Sequence, residues 1–331
     1  MENDGNSVWV LAEFQYGTIP EVSLQLVGKA RELADTLDVS VEVVLLGFDI
    51  GDQADILFHL GADVVFLGDN LEFEGYQPEL FTEVIVSLAE EKQPQIFLLG
   101  STIMGRELAP LVAARLKTGL TAHCTNLKLD SDQLLEQWIP AYGGMINIIC
   151  PHKRPQMATV SRGVFPTPPP NKSRTGQIVP LLPPKGFSTH VQILDIVKKE
   201  LPDVSFEKAN TVVAGGAGVG DPQGWQEVKQ LAQILNAALG STRPVVDEGW
   251  ANLETMIGQS GKMVNPALYI GVGISGELQH MVGIVGSENM IAINNDPKAP
   301  IFEQVDYGIV EDCRDFLPVL LEKLQSYVNT K

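Results

Sequence analysis

The sequence predicts an α/β protein of two domains, each built on a mainly parallel sheet. Three observations carry this. From Val8 to Leu116, strand-length runs that are apolar throughout alternate with amphipathic helical segments. That is the texture of a parallel sheet covered on both faces. The same alternation restarts after about residue 210. Between the two lies a segment carrying Pro166, Pro168, Pro169, Pro170, Pro180, Pro183 and Pro184, which is extended and cannot be a helix. A chain of 331 residues with 44% apolar residues is long and apolar enough for two cores.

The elements follow in order. Residues 8–12 form a short apolar strand. Residues 22–37 place Leu26, Ala30, Leu33, Ala34 and Leu37 at helical spacing. A strand at 41–46 ends in Gly47, a helix follows at 52–60, and a strand at 64–67 is closed by Gly68. An amphipathic helix at 79–91 precedes the strand 95–99, closed by Gly100, and the helix 106–116. From about 120 to 165 the strands become shorter and polar-interrupted around Gly143-Gly144. They read as antiparallel strands added to the sheet edge. The proline segment then reads as a route between domains or an arm on a partner.

In the second half, a strand at 211–213 runs into Gly215-Gly216-Ala217-Gly218-Val219-Gly220. A helix at 223–239 ends in Gly240. Residues 244–246 and 268–272 read as strands, 276–283 as the opening of a helix, and 290–293 and 307–310 as further strands. An amphipathic helix at 316–328 closes the chain.

Charge narrows the function. Lys and Arg number 23 against 41 Asp and Glu, a net charge of -18. Nucleic acid and anionic membranes need a basic footprint, so neither is the main partner. No run of 18 apolar residues exists to span a bilayer. The acidic start, Met1-Glu2-Asn3-Asp4, is neither a signal nor a transit peptide. Cys124, Cys150 and Cys313 form no CxxC pair and no metal spacing. They read as buried thiols of a reducing, cytoplasmic compartment.

The strongest local motif is Gly271-x-Gly273-x-x-Gly276, after a strand and before a helix, with Asp296 twenty residues further on. This is the context of a dinucleotide fingerprint, in which glycines admit a pyrophosphate to the backbone. It does not separate NAD from FAD. Gly258-Gln259-Ser260-Gly261-Lys262 resembles a phosphate loop but fails as one, because Met263 stands where Ser or Thr is needed. The five histidines give no HExxH, and no GxSxG elbow occurs. His280 lies one turn past the fingerprint, where an imidazole can stabilise developing negative charge.

These blocks, taken together, resemble the α subunit of electron transfer flavoproteins. The C-terminal third carries Gly240-Ser241-Thr242-Arg243-Pro244-Val245-Val246-Asp247, then Gly258 to Lys262, then LYIGVGISGELQH at 268–280, then AINNDPKAPIF at 292–302 and Asp306-Tyr307-Gly308. The N-terminal half adds Gly105-Arg106-Glu107-Leu108-Ala109-Pro110, Thr118-Gly119-Leu120-Thr121-Ala122 and Arg154-Pro155-Gln156-Met157-Ala158-Thr159-Val160. The resemblance covers essentially the whole chain.

It implies an N-terminal α/β domain, 1–198, that contacts a β subunit, and a C-terminal Rossmann-like FAD-binding domain, 199–331. It implies one FAD in this chain and a second FAD or AMP in the β subunit. No catalytic residue and no metal are implied. Arg243 would lie against the isoalloxazine and favour its anionic reduced forms. Ser260 would bond N5, with Ile257, Gly258 and Gln259 adding neighbouring contacts. His280 would sit near O2. Ser275, Gly276, Glu277, Leu278 and Gln279 would cradle the pyrophosphate, and Thr242 would approach the phosphates. Asn294, Asp312 and Cys313 would hold the adenosine end.

Four departures from the family pattern stand out. Ala217 stands where members often have Arg, removing one positive charge near the pyrophosphate. Ser260 replaces a common Thr and keeps the hydroxyl. Asn295 replaces a common Lys, and Ser161-Arg162 the usual Arg-Pro; neither has a physical explanation in the sequence.

Cys150-Pro151-His152 running into Arg154-Pro155-Gln156-Met157 is most similar to the anaerobic, electron-bifurcating members. Those take electrons from NADH, sending one to ferredoxin or flavodoxin and the other to the α-subunit FAD, with an acyl-CoA dehydrogenase-type flavoenzyme as a partner. The alternatives are a conventional electron transfer flavoprotein between acyl-CoA dehydrogenases and a quinone reductase, an NAD-dependent dehydrogenase, and a binding role with a degenerate pocket.

Overall fold

The computed structural model describes residues 7–141, 144–187, 189–191, 193–196, 206 and 209–328. The chain divides into two compact units, Met1–Val197 and Lys198–Lys331. The expected boundary at 198–199 and Gly143 lie outside the described residues.

The first unit opens with the alternation read from the sequence: β1 (Ser7–Ala12), α1 (Glu21–Leu37), β2 (Ser40–Gly47), α2 (Ala54–Leu60), β3 (Val64–Asp69), α3 (Pro78–Lys92), β4 (Ile96–Gly100) and α4 (Ile103–Leu116). Then come β5 (Leu120–Cys124), β6 (Asn126–Leu129), β7 (Leu135–Ala141), β8 (Gly144–Ile148), β9 (Gln156–Val160) and β10 (Gln177–Pro180). Seven strands form one sheet in the order β10-β3-β2-β1-β4-β9-β5, and every pairing is parallel. Both faces are covered, which explains the unbroken apolar runs. On β1, Val8 and Val10 point into one core layer with Leu26 and Leu33 of α1. Trp9 and Leu11 point into the other, with Phe81, Ile85 and Leu108.

Two expectations for this unit need correction. The 120–165 region is not one antiparallel addition to the edge. β9 inserts between β4 and β5 in the parallel sheet, and β6, β7 and β8 form a separate three-stranded antiparallel sheet. The proline segment is not an interdomain route throughout, because part of it packs on the N-terminal unit. Pro168 covers Gly28 of α1, where a Cβ would lie 2.7 Å from the proline ring. Its later part supplies β10 at the sheet edge, where a proline at the strand end is tolerated. Asp63 clamps this return, accepting from Arg31 at 2.6 Å, from Arg174 at 2.9 Å and from the Val41 N–H at 2.9 Å.

The second unit contains β11 (Thr211–Gly215), α5 (Pro222–Ile234), β12 (Ala238–Ser241), α6 (Arg243–Asp247), β13 (Leu268–Val272), α7 (Leu278–Met281), β14 (Met290–Asn294), β15 (Tyr307–Val310) and α8 (Cys313–Val328). Its five strands are all parallel in the order β12-β11-β13-β14-β15. Numbered within the unit, this is the doubly wound order 2-1-3-4-5, with its topological switch between β11 and β13. Trp225, Val228 and Leu231 of α5 pack with Leu317 and Leu321 of α8 on one face. Tyr269, Ile257, Met281 and Ile301 fill the other.

Three readings here change. The predicted helix 223–239 stops at Ile234, and Ala238–Ser241 is strand β12. Residues 244–246 belong to the helical turn α6, whose Pro244 sits in the first turn, where a missing N–H costs nothing. The helix expected from 276–283 is the single turn α7.

Candidate cofactor site

The carboxyl ends of all five strands of the C-terminal sheet carry residues singled out from the sequence. β11 ends in Gly215 and continues into Gly216-Ala217-Gly218. β12 ends at Ser241, next to Thr242 and Arg243. β13 leads into Gly273 and the loop to His280, β14 ends at Asn294, and β15 leads to Asp312 and Cys313. Ligands of open parallel sheets bind at this end, at the switch point.

The fingerprint glycines all meet protein atoms. A Cβ on Gly273 would lie 2.6 Å from the Gly218 carbonyl carbon, and one on Gly276 2.2 Å from the Ile301 nitrogen. Both have positive φ, +61° and +93°. Gly218 N–H donates to the Gly273 carbonyl at 3.0 Å, locking the β11 and β13 loops together. The glycines therefore allow loops to approach one another, a role the motif alone did not reveal. Asp296, the expected acid partner, instead caps a turn by accepting from the Lys298 N–H at 2.9 Å.

The cradle comes next along the chain. The N–H groups of Ser275, Gly276, Glu277, Leu278 and Gln279 find no acceptor among the described residues. Unpaired N–H groups at the start of a helical turn are donors of the kind an anion accepts from. Thr242, at the end of β12 two strands away across β11, is buried, and its hydroxyl has no partner among the described residues. Ala217 is exposed on a one-turn helix and supplies no charge.

The loop 257–261 lies against α7. Gln259 N–H donates to the Gln279 carbonyl at 2.7 Å, and a Cβ on Gly258 would strike that same carbonyl oxygen at 2.3 Å. Ser260 is exposed, and its hydroxyl is unengaged among the described residues. Arg243 donates through Nε to Asp247 Oδ1 at 2.7 Å. Ser241 and Thr255 share a hydroxyl bond of 2.8 Å that ties β12 to this loop.

His280 is 6% exposed and bonded through both ring nitrogens. Nδ1 lies 3.1 Å from the Ile257 carbonyl and Nε2 2.8 Å from the Tyr269 hydroxyl. Burial pushes the imidazole down to about 4 and raises the Tyr269 hydroxyl. The ring is neutral at neutral pH. Sequence reading missed Tyr269. The usable signal was the period-2 alternation of β13, which puts Tyr269 and Gly271 on one face.

Asn294 bridges inward, donating to the Ile274 carbonyl at 2.8 Å and accepting from the Asp296 N–H at 2.9 Å. Asp312 is bound by Arg314 at 2.7 Å, which holds its carboxyl down near 2. Cys313 donates its thiol to the Gly218 carbonyl at 3.4 Å, and burial raises it. Asn294 and Cys313 bond across to the loops after β13 and β11, while Asp312 caps the start of α8 by accepting from the Arg314 N–H at 3.0 Å. Among the described residues, no group of three His, Cys, Asp or Glu could hold a metal ion, and no helix is long and apolar enough to cross a membrane.

Comparison with known proteins settles what kind of chain carries this edge. The electron transfer flavoprotein domain matches residues 8–183, and the electron transfer flavoprotein FAD-binding domain matches residues 205–285. The chain belongs to the electron transfer flavoprotein family. It is similar to the electron transfer flavoprotein subunit alpha of Thermoanaerobacterium thermosaccharolyticum, at 41% identity over 98% of this chain and 99% of that one. It is also similar to the subunit alpha of Megasphaera elsdenii, at 40% identity over 96% of each chain. A third relative is the lactate dehydrogenase (NAD(+),ferredoxin) subunit LctC of Acetobacterium woodii, at 37% identity over 95% of this chain and 76% of that one.

As an electron transfer flavoprotein α subunit, this chain binds flavin through its C-terminal domain. The donor set fits FAD. Unpaired N–H groups are compatible with a pyrophosphate, and a guanidinium and a free hydroxyl are compatible with a ring that gains negative charge.

Proposed function

We propose that this α subunit works in flavin-based electron bifurcation, paired with a β subunit in the cytoplasm of a prokaryote. In this reading NADH is oxidised at a second FAD in the β subunit. One electron leaves to ferredoxin or flavodoxin, and the other reaches the FAD of this chain and an acyl-CoA dehydrogenase-type acceptor. The observation that carries it is the likeness, over 95% of the chain, to a subunit whose name couples NAD(+) to ferredoxin. The sequence from Cys150 to Met157 supports the same reading.

FAD, when bound, supplies one- and two-electron redox chemistry. The protein's part is placement and electrostatics. The N–H groups of residues 275–279 and the Thr242 hydroxyl would hold the phosphates. The Arg243 guanidinium, steadied by Asp247, would favour negative charge on the ring system. Ser260 would donate its hydroxyl at the ring's reactive edge. Asn294, Asp312 and Cys313 would border the adenosine.

The test is anaerobic reduction of ferredoxin by NADH with the purified αβ heterodimer and its dehydrogenase. Ferredoxin reduction that requires the dehydrogenase's acceptor supports bifurcation. Electron flow from NADH or acyl-CoA dehydrogenase to the flavin with ferredoxin left oxidised returns the conventional reading.

A further inference from the structure

We infer that Arg314 binds the phosphate end of the flavin, supplying at the glycine turn after β11 the positive charge that Ala217 does not. The inference rests on reading the carboxyl edge of the C-terminal sheet as the flavin site.

The turn itself sets the geometry. Residues 217–219 form a single turn of 3₁₀ helix, and the Gly220 N–H donates back to the Ala217 carbonyl at 3.0 Å. Three residues complete one turn of such a helix, so residues 217 and 220 stack along one edge of it. Ala217 is exposed there and carries no charge. Gly220 has φ +91° and no side chain, and Arg314 takes up the space beside it. A Cβ on Gly220 would stand 3.7 Å from Arg314 Cδ and 3.9 Å from Nη1. The guanidinium of α8 thus overhangs the turn that holds Ala217.

The start of α8 keeps it there. Arg314 donates through Nε to Asp312 Oδ1 at 3.1 Å and through Nη2 to Asp312 Oδ2 at 2.7 Å. Beside it, the Cys313 thiol donates to the Gly218 carbonyl and fastens the helix to the same turn. The Gly218 N–H donates to the Gly273 carbonyl, just before the loop whose N–H groups are unpaired. Nη1 bonds to nothing among the described residues, and the side chain is 62% exposed. A planar guanidinium held along one edge by a carboxylate presents its other edge to an anion. It adds a full charge where the backbone offers only N–H dipoles.

The test is titration of flavin-stripped αβ heterodimer with FAD and with riboflavin, which lacks the phosphates. The proteins are wild type, Arg314→Gln, and Arg314→Gln combined with Ala217→Arg. Only this chain changes, so binding by the β subunit is common to all three. Arg314→Gln is expected to weaken FAD about tenfold at low salt, the low end for a hydrogen bond to a charged group. The gap should close at high salt, and riboflavin affinity should not move. Ala217→Arg is expected to recover most of the loss. Equal FAD affinity in wild type and Arg314→Gln overturns the inference. So does an equal loss for FAD and riboflavin, which marks a disturbed fold and no phosphate contact. A loss of FAD on Arg243→Ala beside an unaffected Arg314→Gln overturns the inference and spares the flavin site. No response to either substitution overturns the flavin-site reading as well.

Discussion

Arg243 and Asp247 stand one turn apart on α6, and the arginine Nε donates to the aspartate Oδ1 at 2.7 Å. Both side chains are more than half exposed, so the pair adds little to fold stability. Its effect is to aim the remaining guanidinium nitrogens. Arg243→Ala should weaken FAD binding and lower the flavin potential. Loss of a hydrogen bond to a charged group is worth roughly 1.5–3 kcal/mol, or about 10- to 150-fold in Kd. Asp247→Ala should move affinity in the same direction by less. Fluorescence titration of flavin-stripped protein reads both, and equal affinity in all three proteins would show that Arg243 does not touch the cofactor.

His280 gives the C-terminal domain a definite pH dependence. Its folded pKa, about 4, lies below the ordinary 6.5, so within that window the unfolded chain binds a proton that the folded chain does not. Stability contributed by this group is therefore present above pH 6.5 and is lost as pH falls toward 4. The full loss is roughly 3 kcal/mol. Thermal denaturation across this range should show a shallower fall for His280→Gln than for wild type. Parallel curves would mean that the imidazole is not held neutral.

Two glycines with positive φ separate conformational strain from crowding. Gly17 has φ +86° and nothing within 4 Å of a Cβ, while Gly276 has φ +93° and the Ile301 backbone at 2.2 Å. Gly17→Ala should cost about 1 kcal/mol, from strain alone. Gly276→Ala should cost about 2–5 kcal/mol, because overpacking against backbone adds to the strain. Denaturant midpoints measure the difference, and equal costs would remove the case for a tight Gly276–Ile301 contact.

Asp63 joins three donors that hold the edge strand β10 to the sheet. Asp63→Ala should destabilise the N-terminal domain by about 1–3 kcal/mol, chiefly through the Val41 N–H left without its acceptor. Hydrogen exchange at Gln177 and Leu181, whose N–H groups donate to the Asp63 and Leu67 carbonyls, should accelerate more than at Val43 or Leu98. Uniform acceleration would indicate a global effect and no edge clamp.

The parallel strands were legible because both faces are buried, so β1 and β4 are near-continuous apolar runs and β2 is interrupted only by Glu42 between Val41 and Gly47. What failed was local propensity overridden by tertiary context. Ala237, Ala238 and Leu239 favour a helix, yet β12 pairs with β11 there. Val245 and Val246 favour a strand, yet Pro244 starts a turn that places Arg243 at its head. The prolines hid β10, since an edge strand needs few of its N–H groups. At the site, the residue blocks lie on loops at the carboxyl ends of the C-terminal strands. The Tyr269–His280 bond joins a strand to a helical turn eleven residues on, which no single period connects.

The most direct measurement of the central claim is a count of nucleotides released from the purified αβ heterodimer. The bifurcating account predicts two FAD per heterodimer and no AMP, with one FAD retained by this chain. One FAD together with one AMP would contradict it.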